Sequence, residues 1–251
     1  MSDLSDRFEE RFAEIVAYLD LIDGVEALVR SGVPRLGDNG PTITAQQQRI
    51  LNSGVYLQLY NLVEATVTRC LDAVSKAAMS RAEWAPGDLT AELRSEWVKH
   101  MARTNLPSGP DKRLEDAISL CDHLVAALPV AEFEIEKGGG GNWDDIAIRK
   151  VATRIGFNLR VSRAVEREVK RKIRNDLGAM ALIVDLRNGL AHGRLSFVDC
   201  GQDDGAAELR QLAERVAAYL REVVAAFDIF IEEHQYIVPS RRPAPVAIVA
   251  G

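Results

Sequence analysis

The segment DLRNGLAHGRLSF, residues 185–197, places an arginine, an asparagine and a histidine at the end of an apolar pattern. These residue types suit chemistry at a phosphate. The guanidinium of Arg187 offers a planar fork of donors to phosphate oxygens, and the imidazole of His192 exchanges protons near neutral pH. Asn188 adds a neutral hydrogen-bonding group beside the arginine. The segment is therefore the first candidate for an active site.

Arg187 and His192 are five residues apart, which is an angular offset of about 140° in a regular helix. They can converge only if the helix ends between them, and Gly189 and Gly193 favour such an ending. An ordinary helix end is the alternative interpretation. His is favoured in the last turn because of the helix dipole, and Gly193 fits the position just after the helix.

A basic segment lies immediately upstream. Residues 149–174 contain ten Lys or Arg and two Glu, a surplus of eight positive charges in a chain whose net charge is −6. The alternative to a nucleic-acid contact is a solvated helix face. The candidate contacts to a nucleic-acid backbone are Lys170, Arg171, Lys172, Arg174 and, beyond the motif, Arg194.

Tyr60 and Glu64, in YNLVEAT, lie four residues apart on one face of a predicted helix. Such a pair is usually a hydrogen bond at the core edge or part of a solvated face, and it is also compatible with a support for the candidate site. Other catalytic templates are absent from the sequence, including G-x-S-x-G, H-E-x-x-H and G-x-G-x-x-G. The glycines of GGGGNW lack the G-K-[ST] of a phosphate-binding loop and indicate a flexible turn.

Composition narrows the class of protein. The chain has 251 residues, of which 47% are hydrophobic and 27% charged, as in ordinary folded proteins. No window has the ~20 apolar residues of a membrane span, and the acidic start does not resemble a signal peptide. Three cysteines without C-x-x-C spacing and four histidines without ligand spacing predict no metal site. We expect a cytoplasmic protein without a cofactor.

Apolar residues recur at steps of three or four along most of the chain, which predicts helices. The predicted helices span 3–30, from Thr42 or Thr44 to about Met79, 89–101 capped by Asp88, 112–128 capped by Asp111, 143 to about 155 capped by Asn142, and about 205–236. A further helical pattern runs from about Ser162 to about Asp176, and it either continues or restarts at Leu177 and reaches the motif. Gly156 fits the position after a helix end.

Residues 129–142 are the exception to the helical pattern. Residues 131–135 alternate as a strand does, so this stretch is the one place where a short β ribbon or edge is expected. The prediction is an all-α long-helix bundle over residues 1–236, with a middle insertion at about 80–142. The tail, 237–251, has three prolines and is expected to be loosely held.

The motif RNGLAHG resembles the R-N-x-x-x-H form of the signature of the HEPN superfamily, which comprises helical ribonucleases and nucleotide-binding domains. Three further segments are similar, in the same order, to one branch of bacterial HEPN-like nucleases. They are RFEERFAEIVAYLDLIDGVE near the start, YLQLYNLVEATV in the second helix and GGGGNWDDIAIRKVATRIGF in the middle. The resemblance covers about residues 7–236.

The resemblance implies an all-α domain that forms a homodimer and cleaves RNA without a metal. It also implies a toxin or phage-defence setting, with an antitoxin or defence-system partner. Carried over to this sequence, the catalytic pair is Arg187 and His192, and Asn188 fills the polar position after the arginine. The dimer would build one composite site from both protomers.

Two other functions are compatible with the same residues. One is a non-catalytic HEPN module that binds a nucleotide or a partner protein and uses RNGLAHG to lock its dimer. The other is a scaffold that is nucleotidylated or bound by an antitoxin, with the same loop masked. The presence of both Arg187 and His192 favours the ribonuclease, because a purely structural module has no need for both.

Overall fold

The computed structural model describes residues 2–37, 39–80, 84–103, 107, 109–138 and 142–243. Over these residues the α-helices are α1 (Asp3–Ser31), α2 (Ala45–Met79), α3 (Ala91–Met101), α4 (Pro110–Val125), α5 (Asp145–Arg154), α6 (Arg163–Lys170), α7 (Ala179–Ala191), α8 (Phe197–Cys200) and α9 (Ala206–Glu232). The described residues contain isolated β-bridges but no strand. The predicted all-α class is confirmed.

The described residues fall into two compact units. Unit 1 comprises Met1–Thr66, Asn142–Ile146 and Val161–Val224, and unit 2 comprises Val67–Gly141, Ala147–Arg160 and Ala225–Gly251. Helices α2, α5 and α9 contribute residues to both. The predicted insertion lies in unit 2 apart from Asn142. The interpretation of residues 1–236 as a single domain stays a prediction.

Unit 1 is built on α1, the first part of α2, α7 and most of α9. The apolar stripe predicted for α1 is buried, with Phe8, Phe12 and Leu19 at most 5% exposed. Ion pairs tie α1 to α9: Arg221 donates to Glu9 at 2.7 Å, and Arg210 donates to Asp20 at 2.8 Å. The hydrogen bond from Arg221 lowers the pKa of the Glu9 carboxyl.

Unit 2 has its own aromatic core. Phe157 stacks on Phe230 with ring centroids 4.6 Å apart, and the edge of Trp84 meets Tyr236 at 5.5 Å. Trp97 on α3 is fully buried. The hydroxyl of Tyr236 also donates to the Ala77 carbonyl in α2 at 3.3 Å, which ties the residues after α9 to the end of α2.

Several predicted helix starts are wrong by a few residues. Asp88 belongs to a 3₁₀ turn and accepts from the backbone of Ala85, while Thr90 caps α3. Helix α4 begins at Pro110, so its N-cap is Gly109 and Asp111 lies in the first turn. In both cases a second capping residue or a proline nearby competes for the start.

The expected β ribbon is not present in the described residues 129–138. Phe133 and Ile135 are buried between exposed glutamates, which gives strand-like alternation, but the segment has no strand partner there. Residues 139–141 of the same prediction lie outside the described residues. Alternation in this segment therefore reflects packing of one face on unit 2, not β pairing.

The predicted tail is held by several contacts where it is described. Ile237 is buried, Arg241 pairs with Asp88 at 2.9 Å, and Arg242 donates to the Ile237 carbonyl at 2.9 Å. Residues 244–251 lie outside the described residues. The expectation of a loosely held tail therefore does not fit residues 237–242.

Candidate active site

Helix α7 carries the candidate site and ends inside the motif, as predicted. The last helical residue is Ala191, and His192 is the C-cap with its backbone N–H bonded to the Asn188 carbonyl. Gly193 follows with φ of +68°, the left-handed conformation that favours glycine. The helix thus stops between Arg187 and the loop that follows His192.

The glycine inside the motif makes room for the returning loop. The backbone N–H of Leu195 bonds to the Gly189 carbonyl at 3.0 Å. A Cβ atom at position 189 would lie 2.8 Å from the Leu195 Cδ1 atom and 3.3 Å from a guanidinium nitrogen of Arg194. Gly189 therefore lets the chain turn back tightly over the end of α7.

Arg187 is half-buried and held in one orientation. Its guanidinium carbon lies 4.4 Å from the centroid of the Tyr60 ring, which is close enough for a cation–π contact. Its Nη1 donates to Asn188 Oδ1 at 2.9 Å. In the described part of the chain this is the only hydrogen bond of the guanidinium, so the remaining donors of the fork can bind an anion.

The ring of Tyr60 packs against the guanidinium of Arg187. The residue is fully buried, and burial raises the pKa of its hydroxyl. The positive charge of Arg187 opposes this rise in the Tyr60 pKa and the negative charge of Glu64 adds to it. Tyr60 therefore stays a neutral platform at physiological pH. Tyr60 contacts Arg187 directly, while the role of the Tyr60–Glu64 pair as support for the site stays a prediction.

Asn188 connects the motif to a segment distant in sequence. Its Nδ2 donates to Asn142 Oδ1 at 2.8 Å, while its Oδ1 accepts from Arg187. Asn142 was predicted to cap a helix, but α5 begins only at Asp145. Asn142 is thus a site residue that sequence reasoning missed, because nothing local marks a hydrogen bond between residues 46 positions apart.

His192 is exposed, in contrast to Arg187. Within the described residues its imidazole has no hydrogen-bond partner, and no hydrogen bond joins it to Arg187. One protomer therefore presents the two groups at the same helix end without a hydrogen bond between them. An incoming ligand, or a second protomer, can reach the imidazole from solvent.

Four of the five predicted RNA-binding cations are exposed and paired with carboxylates. Lys170 pairs with Glu166 at 2.8 Å, Arg171 with Glu168 at 3.8 Å, Lys172 with Asp176 at 2.9 Å and Arg194 with Asp185 at 2.6 Å. Exposed pairs of this kind contribute little to stability, ~0–1 kcal/mol each. These cations can therefore exchange their partners for phosphates at small cost.

Arg174 has a different environment. Its side chain is 17% exposed and pairs with Asp203 at 2.9 Å and Asp204 at 3.6 Å. Its guanidinium also lies 5.7 Å from the Tyr56 ring centroid. This position favours a structural role over the predicted contact with RNA, because binding a phosphate would leave two carboxylates without their cation.

Two further properties concern the described chain as a whole. Its residues contain no group of three or more His, Cys, Asp or Glu side chains placed to hold a metal ion. None of the described helices combines the length and apolar content that crossing a membrane requires.

Comparison with known proteins assigns the family. No curated protein and no solved structure matches the chain. A family model, HEPN_MAE_28990-like HEPN, matches residues 1–236. The match spans all the helices described above and includes the motif at the end of α7. The class of function that this family supports is a nuclease or a nucleotide-binding module. The chain belongs to the HEPN_MAE_28990-like HEPN family.

Proposed function

We propose that this protein is an endoribonuclease that cleaves RNA without a metal ion. One observation carries the proposal. Near the end of α7, Tyr60 and Asn188 hold Arg187 in one orientation. His192, which is exposed, follows Arg187 by five residues. A group that moves protons and a preorganised cation are the two components that phosphodiester cleavage needs most.

RNA supplies its own nucleophile. The 2′-oxygen attacks the adjacent phosphorus while its proton passes to a basic imidazole. The bond from phosphorus to the 5′-oxygen then breaks, and the leaving oxygen takes a proton from an acidic imidazole. The products are a 2′,3′-cyclic phosphate and a 5′-hydroxyl. Arg187 stabilises the negative charge on the phosphorane, because its guanidinium is always charged and keeps donors that have no partner among the described residues.

This step needs a base and an acid at the same time, and one protomer has one His192. A homodimer with its two-fold axis beside the end of α7 supplies both. The exposure of His192 is compatible with a groove between two protomers. We therefore propose one composite site that uses Arg187 and His192 of both chains, in an effector of the toxin or phage-defence type with an antitoxin or defence partner.

Cleavage should survive EDTA, and the products should end in a 2′,3′-cyclic phosphate. The reason is that the proposed step uses the 2′-OH, Arg187 and His192 alone. The measurement is an RNA digest with and without chelator, with the product ends identified by mass spectrometry. Single-stranded DNA of the same sequence is the control and should stay intact. Activity lost in EDTA and restored by Mg²⁺ or Mn²⁺ would contradict the proposal.

Replacing Lys170, Arg171 and Lys172 together by Ala should weaken RNA binding for all sequences. Each phosphate contact that is lost should reduce the slope of log K against log salt by about 0.7 to 0.9. The cleavage rate at saturating RNA should change little, because these residues lie outside the catalytic set. Binding isotherms at several salt concentrations measure the effect.

A matched control removes the same charge from another helix of unit 1. Arg7, Arg11 and Arg30 are exposed cations of α1, and their triple Ala variant should bind RNA with the wild-type salt slope. Equal slopes for both triple variants and the wild type would mean that the 170–172 segment is a solvated surface.

A further inference from the structure

We propose that the outer face of α4 is a self-association surface, on which a second copy of this chain docks through its own α4. The face consists of large apolar side chains that point into solvent. Leu114 is 62% exposed, Ile118 52% and Val125 88%. The complete face also includes the exposed residues Ala117, Cys121, Leu124 and Leu128.

The orientation of α4 is the reverse of an ordinary surface helix. The side that faces the rest of unit 2 carries Asp116 and His123. Asp116 is 7% exposed and pairs with Lys112 at 3.4 Å. The ring of His123 lies 5.2 Å from that of Trp97. A helix of a globular protein normally turns its apolar stripe inward and its charged side outward. Here the apolar stripe is left outside, which is the arrangement expected of an interface.

The spacing of the face fits a second copy as its occupant. The seven residues are symmetric in sequence about Cys121: Leu114 corresponds to Leu128, Ala117 to Val125 and Ile118 to Leu124. Two copies of this face, antiparallel about a two-fold axis at Cys121, therefore place apolar side chains opposite apolar side chains. Such self-complementarity is the requirement of a two-fold interface.

The helix end agrees with this pairing. The acidic residues Glu115 and Asp122 lie ~120° and ~100° around the helix from Cys121, at the rim of the face and outside its apolar centre. Leu128 follows the end of α4, but its backbone N–H bonds to the His123 carbonyl at 3.1 Å. This bond keeps Leu128 against the last turn, so the face continues past Val125.

The area is sufficient for a reversible interface. Five large apolar side chains at roughly 100 Å² each give about 500 Å² per protomer and about 1,000 Å² per pair, the lower bound for a specific interface. We therefore expect an assembly that depends on protein concentration. It is independent of the groove proposed for His192, since α4 belongs to unit 2 and the candidate site to unit 1.

The first test is the mass of the full chain in solution. Ile118→Glu puts two carboxylates near the proposed axis, so light scattering should give this variant half the mass of the wild type or less. The ratio holds whether or not protomers also pair at His192. Ser119→Glu is the matched control: Ser119 is exposed on the same helix but ~160° around it from Cys121. It should keep the wild-type mass.

The second test uses Cys121, because Cys70 and Cys200 are buried. A short bis-maleimide, adding one thiol at each end, should join two wild-type copies and neither Cys121→Ser nor Ile118→Glu. Thermal unfolding should be alike in all variants, since positions 118, 119 and 121 are exposed. Equal masses for Ile118→Glu and wild type, or no cross-link in the wild type, would overturn the proposal. If either result is found and this face binds lipid vesicles or an unrelated peptide, the occupant of the face is not a second copy of the chain.

Discussion

Replacing His192 by Ala should lower the rate of RNA cleavage by about 10² to 10⁴-fold, the range for loss of a general acid or base. The exposed imidazole has few contacts within the protomer, so the variant should keep the fold. Arg187→Ala should lower the rate by about 10² to 10³-fold, as for removal of a preorganised donor to the developing charge. Single-turnover cleavage of a labelled RNA measures both losses.

Two controls separate catalysis from folding. Arg187→Ala also removes the cation–π contact with Tyr60, worth about 0.5–2 kcal/mol, so its thermal unfolding must be measured beside its activity. Arg187→Lys keeps the charge and loses the fork, and should recover only part of the rate. His100→Ala, in unit 2, should cleave like the wild type.

The result also decides between the ribonuclease and the non-catalytic module. If expression of the wild type is toxic to cells, His192→Ala should relieve the toxicity. Folded Arg187→Ala and His192→Ala proteins that cleave RNA like the wild type would contradict the assignment of the catalytic pair. A wild type that binds a nucleotide and leaves RNA intact would favour the binding module.

The long helices were predictable because their cores are periodic. Helix α1 was predicted at 3–30 and spans Asp3–Ser31, and α9 was predicted at 205–236 and spans Ala206–Glu232. A stripe of apolar residues over many turns predicts a helix even where the capping residues at its ends are uncertain. This is also why the all-α class followed from the sequence.

The end of α6 was not predicted, although a local signal was present. The helix was expected to reach residue 176 and stops at Lys170. Asn175 and Asp176 both have positive φ, 52° and 59°, a conformation that Asn and Asp tolerate better than other side chains. The dipeptide Asn175–Asp176 therefore indicates a turn. This signal was overlooked because the dipeptide directly follows a run of basic residues.

The sequence was enough to choose the residues of the candidate site but not to predict their contacts. Arg187, Asn188 and His192 lie within six residues, so a short motif was enough to select them as candidates. The contacts of Asn188 with Asn142 and of Arg174 with Asp203 join segments far apart in the chain. Such contacts depend on tertiary packing. Because the sequence shows no periodic pattern at those positions, it does not reveal which segments meet.

A heterodimer of a wild-type chain and a His192→Ala chain should cleave RNA about 10² to 10⁴-fold more slowly than the wild-type dimer. The proposed composite site uses the imidazole of one protomer as the base and that of the other as the acid, so the loss of either imidazole removes one of these two groups. If each protomer instead contained a complete site of its own, the heterodimer would retain one intact site and roughly half the wild-type rate per dimer. The two arrangements therefore predict clearly different rates.

The heterodimer is obtained by co-expressing the two chains with different affinity tags and purifying through both. Both chains should carry Ile118→Glu, so that copies held together only through α4 are not captured. The wild-type pair in the same background gives the reference rate. A rate far below half of the reference rate would support one site that uses the His192 of both protomers. Half of the reference rate in a purified heterodimer, or a monomer of the reference chain that still cleaves RNA, would refute the composite site and leave each protomer to supply its own acid and base.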